Sequence, residues 1–368
     1  MAGGTGGHVY PGLAVAALLA KRDVQVSWLG SANSFESKLI PTQQLNFNAV
    51  NVAGLRGKKF MQKLAAPWML ARAVIQALKI FRRIRPRAAI SFGGFAAGPG
   101  GIAATLLRVP LYVHEQNRIP GITNRVLAKF ARRVLCGFPS TFKSGSFKNI
   151  SFKSDSFKND SLASDDDYVG NPVRAEIIAI EAPSLRFQNR SGPLRLLCLG
   201  GSLGAKALNT LLPKAIALLP EENRPIVRHQ AGAKLFDAAC ASYQQSGLDP
   251  EQVVPFISDM ADAYRWADVV VCRAGALTVA ELAAAGAAAI LVPYPHAVDD
   301  HQTANAHFLV DAGAACMVQQ RDLDAARLAQ LLTLHMDRNL CLARAQAARS
   351  LAKTDAAQRC VQIILGLQ

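Results

Sequence analysis

Apolar positions along this chain fall into two alternating patterns. Short apolar segments, at Val24–Leu29, Leu45–Val52, Ala88–Phe92, Leu111–His114 and Arg133–Cys136, read as strands. Between them lie stretches with helical spacing. The first carries Pro11 in its opening turns and an apolar face of Leu13, Val15, Ala16, Leu18 and Leu19. Others are predicted near Leu64–Ile84, from Gly98 and at Gly121–Ala131. The pattern restarts past the middle with strands Leu194–Leu199, Ile226–His229, Val253–Ile257, Val269–Cys272 and Ala288–Val292, a helix from Ala205, a helix Ala276–Ala285, and helices to the end. Alternating strand and helix units predict α/β architecture: two doubly wound parallel sheets with helices on both faces.

The first helix breaks the pattern. It follows the loop Gly3-Gly4-Thr5-Gly6-Gly7-His8, with no apolar run ahead of it. A strand is expected there, and with it a true chain start roughly ten residues upstream of Met1. On that expectation Met1 is an internal methionine of the strand. Residues 140–167 differ again: Phe-Lys recurs at Phe142, Phe147, Phe152 and Phe157 among Ser, Asn and Asp. A five-residue period fits neither helix nor strand, so the segment reads as a low-complexity insertion.

Composition narrows the chemistry. The net charge of +15 asks for an anionic partner. Seven scattered cysteines, Cys136, Cys198, Cys240, Cys272, Cys316, Cys341 and Cys360, form no CxxC pair and read as reduced thiols, with no metal site expected. The most apolar stretch, Ala274–Pro295, is interrupted by Glu281 and glycines and reads as buried helix plus strand rather than a membrane span.

Three glycine clusters lead into helices, the first with its strand expected upstream and the others directly after a predicted strand: Gly3–Gly7, Gly93–Gly101 and Gly200–Gly204. None matches GxxxxGK[ST] or GxGxxG, which disfavours a P-loop nucleotidase and a nicotinamide site. Each alone can be a tight turn; three together favour backbone cradles for diphosphates. His8 stands beside the first, either as a proton acceptor or as a hydrogen-bonding residue of the loop. Glu281, in the early turns of the Ala276–Ala285 helix, either accepts ribose hydroxyls or is an ordinary acidic residue near a helix start. From Ser37 to His114 there is no acidic residue but twelve lysines and arginines, interleaved after Arg56 with Phe60, Leu64, Trp68, Ile75 and Phe81. Part of that stripe faces a core; its one-sided charge points to an anionic lipid surface. Nucleic acid is not expected, because no recognised binding motif accompanies the charge.

These motifs, with Gly-Leu-Arg-Gly-Lys at 54–58, Gly-Pro-Gly-Gly at 98–101, His-Glu-Gln-Asn at 114–117, Gly-Asn-Pro-Val-Arg at 170–174, Gly-Gly-Ser at 200–202, Gly-Ala-Leu-Thr-Val at 275–279 and Asp-Asp-His-Gln at 299–302, resemble the MurG family of bacterial glycosyltransferases. The resemblance implies a GT-B fold, two Rossmann-like domains facing a cleft. It implies an N-terminal domain over 1–170, a C-terminal domain over 171–346, and a last helix, 347–368, packing back on the first. The implied reaction moves N-acetylglucosamine from UDP-N-acetylglucosamine to the C4 hydroxyl of the muramyl sugar of lipid I, with inversion and without cofactor or metal. Carried over by motif, Arg174 and Ser202 meet the donor diphosphate and Ile257 lines the uracil pocket. Ala276, Leu277, Thr278, Val279, Ala280 and Glu281 receive phosphate and ribose, and Gln302 contacts the sugar. Thr5, Gly6, Gly7 and Asn117 belong to the same cleft. Gly3, Gly4, Gly93, Gly94, Gly98 and Gly100 hold the acceptor diphosphate, and His8 is the candidate base. The implied location is the cytoplasmic face of the inner membrane, peripherally bound, among cell-wall and division proteins.

The chain departs from the family at Leu203, where Gln is usual, and at Ala231, where Ser or Thr is usual. Two other GT-B activities, a UDP-sugar 2-epimerase and a transferase with a soluble acceptor, remain as alternatives. An inactive interaction protein on the same scaffold is a third.

Overall fold

The structure, a computed structural model, describes residues 1–52, 66–142, 168–201 and 204–367. The Gly-Leu-Arg-Gly-Lys motif, the basic residues Arg56–Lys63, most of the Phe-Lys repeat, Ser202 and Leu203 lie outside the described residues. Contacts divide the chain into two compact units, Met1–Pro172 with Asp355–Gln368, and Val173–Thr354.

In the first unit, strands β1 (Ser27–Ser31) and β2 (Asn46–Val50) pair in parallel, and β3 (Ala89–Ser91), β4 (Leu111–Glu115) and β5 (Arg133–Cys136) form a second parallel sheet. Residues 1–2 touch both. Met1 N donates to Ile90 O at 2.8 Å, Phe92 N donates to Met1 O at 2.9 Å, and the Trp28 indole N–H donates to Ala2 O at 3.0 Å. Helix Gly6–Ala20 lays Val9, Val15 and Leu19 into a core shared with Trp28, Ile40, Phe92 and Leu135.

The expected 347–368 helix is two helices, Arg338–Ser350 and Ala356–Leu365, separated by the polar Lys353-Thr354-Asp355 stretch. Only the second belongs to the first unit, where Ala357, Cys360 and Val361 join the core of the first helix. The expected insertion also starts later than 140: Thr141 and Phe142 are buried, and the Thr141 hydroxyl donates to Phe138 O at 2.9 Å.

The second unit holds one six-stranded parallel sheet. Its strands are β6 (Arg195–Leu199), β7 (Ile226–Gln230), β8 (Val253–Val254), β9 (Val269–Cys272), β10 (Ala288–Leu291) and β11 (Ala315–Met317), in the order β11-β10-β9-β6-β7-β8. The apolar patterning missed β11, whose Cys316 and Met317 are only half buried, and overextended β8, since Phe256 turns out to solvent. The order reverses between β6 and β9, which pair with Leu199 opposite Cys272. In doubly wound sheets ligands bind outside the carboxyl ends of the strands at that reversal. Gly200 and Arg273 are the residues that leave those two ends.

One buried carboxylate pins the lower edge of this sheet. Asp268, with no exposed surface on its side chain, pairs with Arg190 and with Arg338 at 3.4 Å, and accepts from Arg195 N at 2.9 Å. It thereby joins the entry of β6, the entry of β9 and the start of helix Arg338–Ser350. Removing it leaves the Arg190 guanidinium buried without its counter-charge. Asp268→Ala is expected to lower the unfolding free energy of this unit by about 3–5 kcal/mol in urea titrations.

Candidate functional site

Two groups of residues meet the conditions for a site, one in each unit. In the first unit the loop Gly3–Gly7 opens helix Gly6–Ala20, and Thr5 O accepts the first two turn bonds, from His8 N at 3.1 Å and Val9 N at 3.2 Å. The loop after β3 comes against it. Gly93 and Gly94 have φ of +95° and +88°, which only glycine adopts without strain. A Cβ on Gly94 would lie 2.1 Å from Gly3 O, and one on Gly93 would lie 3.1 Å from the His8 ring. The structure therefore brings Gly3, Gly4, Gly93, Gly94 and His8 together. His8 Nδ1 lies 3.2 Å from the Thr5 hydroxyl. With its proton on Nδ1 donated to Thr5, the basic lone pair is on Nε2.

Gly100 stands apart from this contact. It is buried in helix Ala97–Leu106, where a Cβ would meet Leu29 and Met1 at 2.5 Å, so its lack of a side chain serves helix–sheet packing. Gly98, earlier in the same helix, faces Thr123 at ordinary contact distance.

Sequence reasoning passed over the carboxylates that organise these loops. Glu115, at the end of β4, is buried; Oε1 accepts from Asn117 N at 2.9 Å and from its side chain at 3.2 Å. Oε2 accepts from Gly121 N at 3.1 Å and Asn124 Nδ2 at 3.0 Å. Asn124 Oδ1 accepts from Ser91 Oγ, and Ser91 Oγ accepts from Gly93 N at 3.2 Å. One polar chain thus runs from the His-Glu-Gln-Asn turn to the second glycine loop. Glu36 plays the matching part under Gly4. The signal for Glu115 was its place in the motif; Glu36 sits in a helix that carried no motif.

Beside Glu115, His114 is fully buried, with Nε2 3.0 Å from Gly170 O and Nδ1 3.0 Å from Gln116 Nε2. Burial lowers it to about 4, against the Gly170 bond, which favours its proton.

In the second unit the site lies at the reversal of strand order. Gly200 N donates to Gln230 O at 2.9 Å, and a Cβ on Gly204, which has φ of +76°, would sit 2.2 Å from Ala231 O. Ala231 is buried and its carbonyl also accepts from Asn209 Nδ2 at 2.9 Å, so this position serves as backbone support. Helix Ala276–Ala285 follows β9 through Gly275. On its inner side Glu281 accepts from Arg174 at 2.8 Å and from the Tyr264 hydroxyl at 3.2 Å. Burial raises the Glu281 carboxyl, partly offset by Arg174 and Tyr264; burial also raises the Tyr264 phenol. Tyr264 was not foreseen, because one tyrosine in a helix has no sequence signature.

The remaining expected residues are placed as follows. Ile257 N donates to Gln230 Oε1 at 3.0 Å, and Gln302 Oε1 accepts from Tyr294 N at 2.9 Å. Ahead of Gln302, Asp299 and Asp300 both hold positive φ, 53° and 50°, a strained pair for residues with side chains. Arg273 ties the two strand ends, donating to Val292 O and Pro293 O and lying 5.6 Å from the centre of the Tyr294 ring. Among the described residues no cluster of three metal-ligating side chains occurs.

Residues 1–136 match the glycosyltransferase family 28 N-terminal domain, and residues 195–360 the family 28 C-terminal domain. The chain belongs to glycosyltransferase family 28. It is 52% identical over 368 residues to the UDP-N-acetylglucosamine–N-acetylmuramyl-(pentapeptide) pyrophosphoryl-undecaprenol N-acetylglucosamine transferase of Xanthomonas campestris pv. campestris, covering 99% of this chain and 80% of that one. A transferase of the same name from Xylella fastidiosa is 49% identical, with 99% and 95% covered. The crystal structure of MurG from Acinetobacter baumannii superposes with a TM-score of 0.80 at 40% identity, covering 100% and 98%. The fold is GT-B, shared with calicheamicin glycosyltransferase CalG4 at 15% identity and a TM-score of 0.62.

The buried histidines make a testable statement about stability. In the second unit His229 is held between Tyr243 at 3.0 Å and Asn209 at 3.1 Å, and burial lowers it to about 4. Below the ordinary value of 6.5 the unfolded chain takes up a proton that neither folded His114 nor folded His229 accepts until about pH 4. Stability therefore falls as pH drops from 6.5 to 4, by up to about 1.4 kcal/mol per pH unit for each histidine. Urea midpoints measured from pH 7.5 to 5 are expected to show this slope, and His229→Gln to flatten it.

Proposed function

We propose that this chain transfers N-acetylglucosamine from UDP-N-acetylglucosamine to the muramyl C4 hydroxyl of lipid I, making the β1→4-linked disaccharide of lipid II. The observation that carries the proposal is the likeness to transferases of that name over 99% of the chain, through both units. The site geometry agrees with it. The second unit offers a strand reversal, a glycine turn and a helix start for a nucleoside diphosphate, the arrangement that doubly wound sheets use for such ligands. We assign the ribose hydroxyls to Glu281, whose carboxyl is held in one orientation by Arg174 and Tyr264. Arg174 supplies positive charge for the diphosphate that leaves.

In the first unit the Gly3–Gly7 and Gly93–Gly94 loops hold the acceptor diphosphate, with His8 as base. The acceptor oxygen attacks the anomeric carbon as the bond to UDP breaks, and its proton passes to His8 Nε2. The charge on the departing UDP is met by backbone N–H groups at helix starts and by Arg174. His8→Ala is expected to lower kcat about 100-fold or more, the usual contribution of a general base, with the KM for UDP-N-acetylglucosamine changing less than threefold. A folded His8→Ala protein with full turnover of a lipid I analogue removes His8 from this role.

We also place the chain on an anionic membrane surface. Helix Ala66–Ile84 splits its stripe: Ala73, Ala77 and Phe81 face the core, while Trp68, Leu70 and Ile75 point outward beside exposed Arg72, Lys79, Arg82 and Arg83. Trp68 is 76% exposed. Among the described residues no helix is long and apolar enough to cross a membrane. An amphipathic helix with a basic flank instead lies in the interface. Trp68→Glu with Ile75→Glu is expected to weaken co-sedimentation with vesicles containing phosphatidylglycerol about tenfold or more, since each buried apolar side chain contributes about 1.5–3 kcal/mol. Turnover of a detergent-soluble acceptor is expected to persist.

A further inference from the structure

Glu36 is a buried carboxylate whose partners are all main-chain groups. It has no solvent exposure, and Oε2 accepts from Gly4 N at 3.1 Å while Oε1 accepts from Ser31 N at 3.0 Å. Among the described residues it forms no ion pair. Burying a carboxylate is costly unless hydrogen-bond donors replace its water, and a core has no need of one. The neighbouring sequence is built around it. Ser34 and Ser37 form a reciprocal cap that sets the start of helix Phe35–Thr42 and so aims Glu36 back at the loop. A Cβ on Gly3 would lie 2.2 Å from Oε1, so Gly3 leaves room for the carboxylate, while one on Gly30 would meet Phe47 at 2.6 Å and the Glu36 Cγ at 2.9 Å.

From Glu36 the packing leads on to His8. Gly3 touches Gly94, and Gly93 touches His8. We propose that Glu36 is the positioning residue of the acceptor site. It fixes the Gly3–Gly4 turn, and that turn sets Thr5, His8 and the facing glycine loop for the diphosphate-linked acceptor. This rests on the reading that these loops hold the acceptor. One corollary refines that reading: the Gly4 N–H points inward to Glu36, so the acceptor diphosphate takes its donors from other groups of the loop pair.

The test combines kinetics with amide hydrogen exchange on the full chain. In the unsubstituted protein, a short-chain lipid I analogue is expected to slow exchange in the peptide covering residues 1–8, and UDP-N-acetylglucosamine is not. Glu36→Gln keeps the shape but presents an amide N–H₂ to one of the two backbone donors; Glu36→Ala removes both acceptors. Each is expected to speed exchange in residues 1–8 and to lower kcat/KM for the acceptor about tenfold or more, the equivalent of one or more charged hydrogen bonds. The KM for UDP-N-acetylglucosamine is expected to stay within twofold. Should Glu36→Ala fail to fold, the isosteric Glu36→Gln carries the test. Variants that lose thermal stability but keep native kinetics for both substrates overturn the proposal and leave Glu36 a structural residue. Failure of the lipid I analogue to protect residues 1–8 in the unsubstituted protein overturns the acceptor reading itself.

Discussion

In a parallel sheet every strand ends at the same edge, so the backbone groups that leave those ends crowd together and must be held apart and in order. Every strand pairing described in this protein is parallel, and Gly93, Gly94, Glu115 and Gly200 stand at or just beyond such an edge. Short loops of glycine make the crowding possible; buried carboxylates keep it in register. Glu36 holds the first loop, Glu115 holds the turn after β4 and reaches the loop after β3 through Asn124 and Ser91, and Glu281 is held by Arg174 and Tyr264. Take away these anchors and the loops lose the hydrogen bonds that give each a single conformation.

The same device appears away from the chemistry with a different purpose. Asp268 has arginine partners and one backbone donor, and it joins three segments at the far edge of the second sheet. There the carboxylate meets full positive charges, so it locks the fold. Glu36 and Glu115 meet amide donors instead, which hold a loop without neutralising the site around it. Glu281 stands between these cases, with one charged partner, Arg174, and one neutral partner, the Tyr264 hydroxyl.

Surface physics divides along one helix. Ala66–Ile84 uses small residues and Phe81 to seat itself against helix Ala97–Leu106 and β2, and sends Trp68, Leu70 and Ile75 into solvent among cations. The stripe that the sequence divided only in principle is two faces. The spacing of Ala73, Ala77 and Phe81 follows one side of the helix, and Trp68 and Ile75 follow another. Only the packing against helix Ala97–Leu106 and β2 told them apart.

The sequence by itself determined a good deal. Apolar runs separated by helical stripes required doubly wound parallel sheets in two copies, and glycine clusters marked strand ends of the kind that doubly wound folds use for ligands. These features are local: they follow from side-chain periodicity and from the backbone freedom of glycine. Motif order then located His8, Arg174 and Glu281. What the sequence left open is non-local. Whether a stripe faces core or solvent, that Gly100 packs on Leu29 while Gly94 packs on Gly3, that one expected helix breaks at Lys353–Asp355, and that Glu36 reaches back to Gly4 across 32 positions all depend on which surfaces meet. No periodicity encodes such meetings. The tertiary structure decided them, because only in the closed fold do the desolvated carboxylates and the orphaned backbone donors have each other as partners.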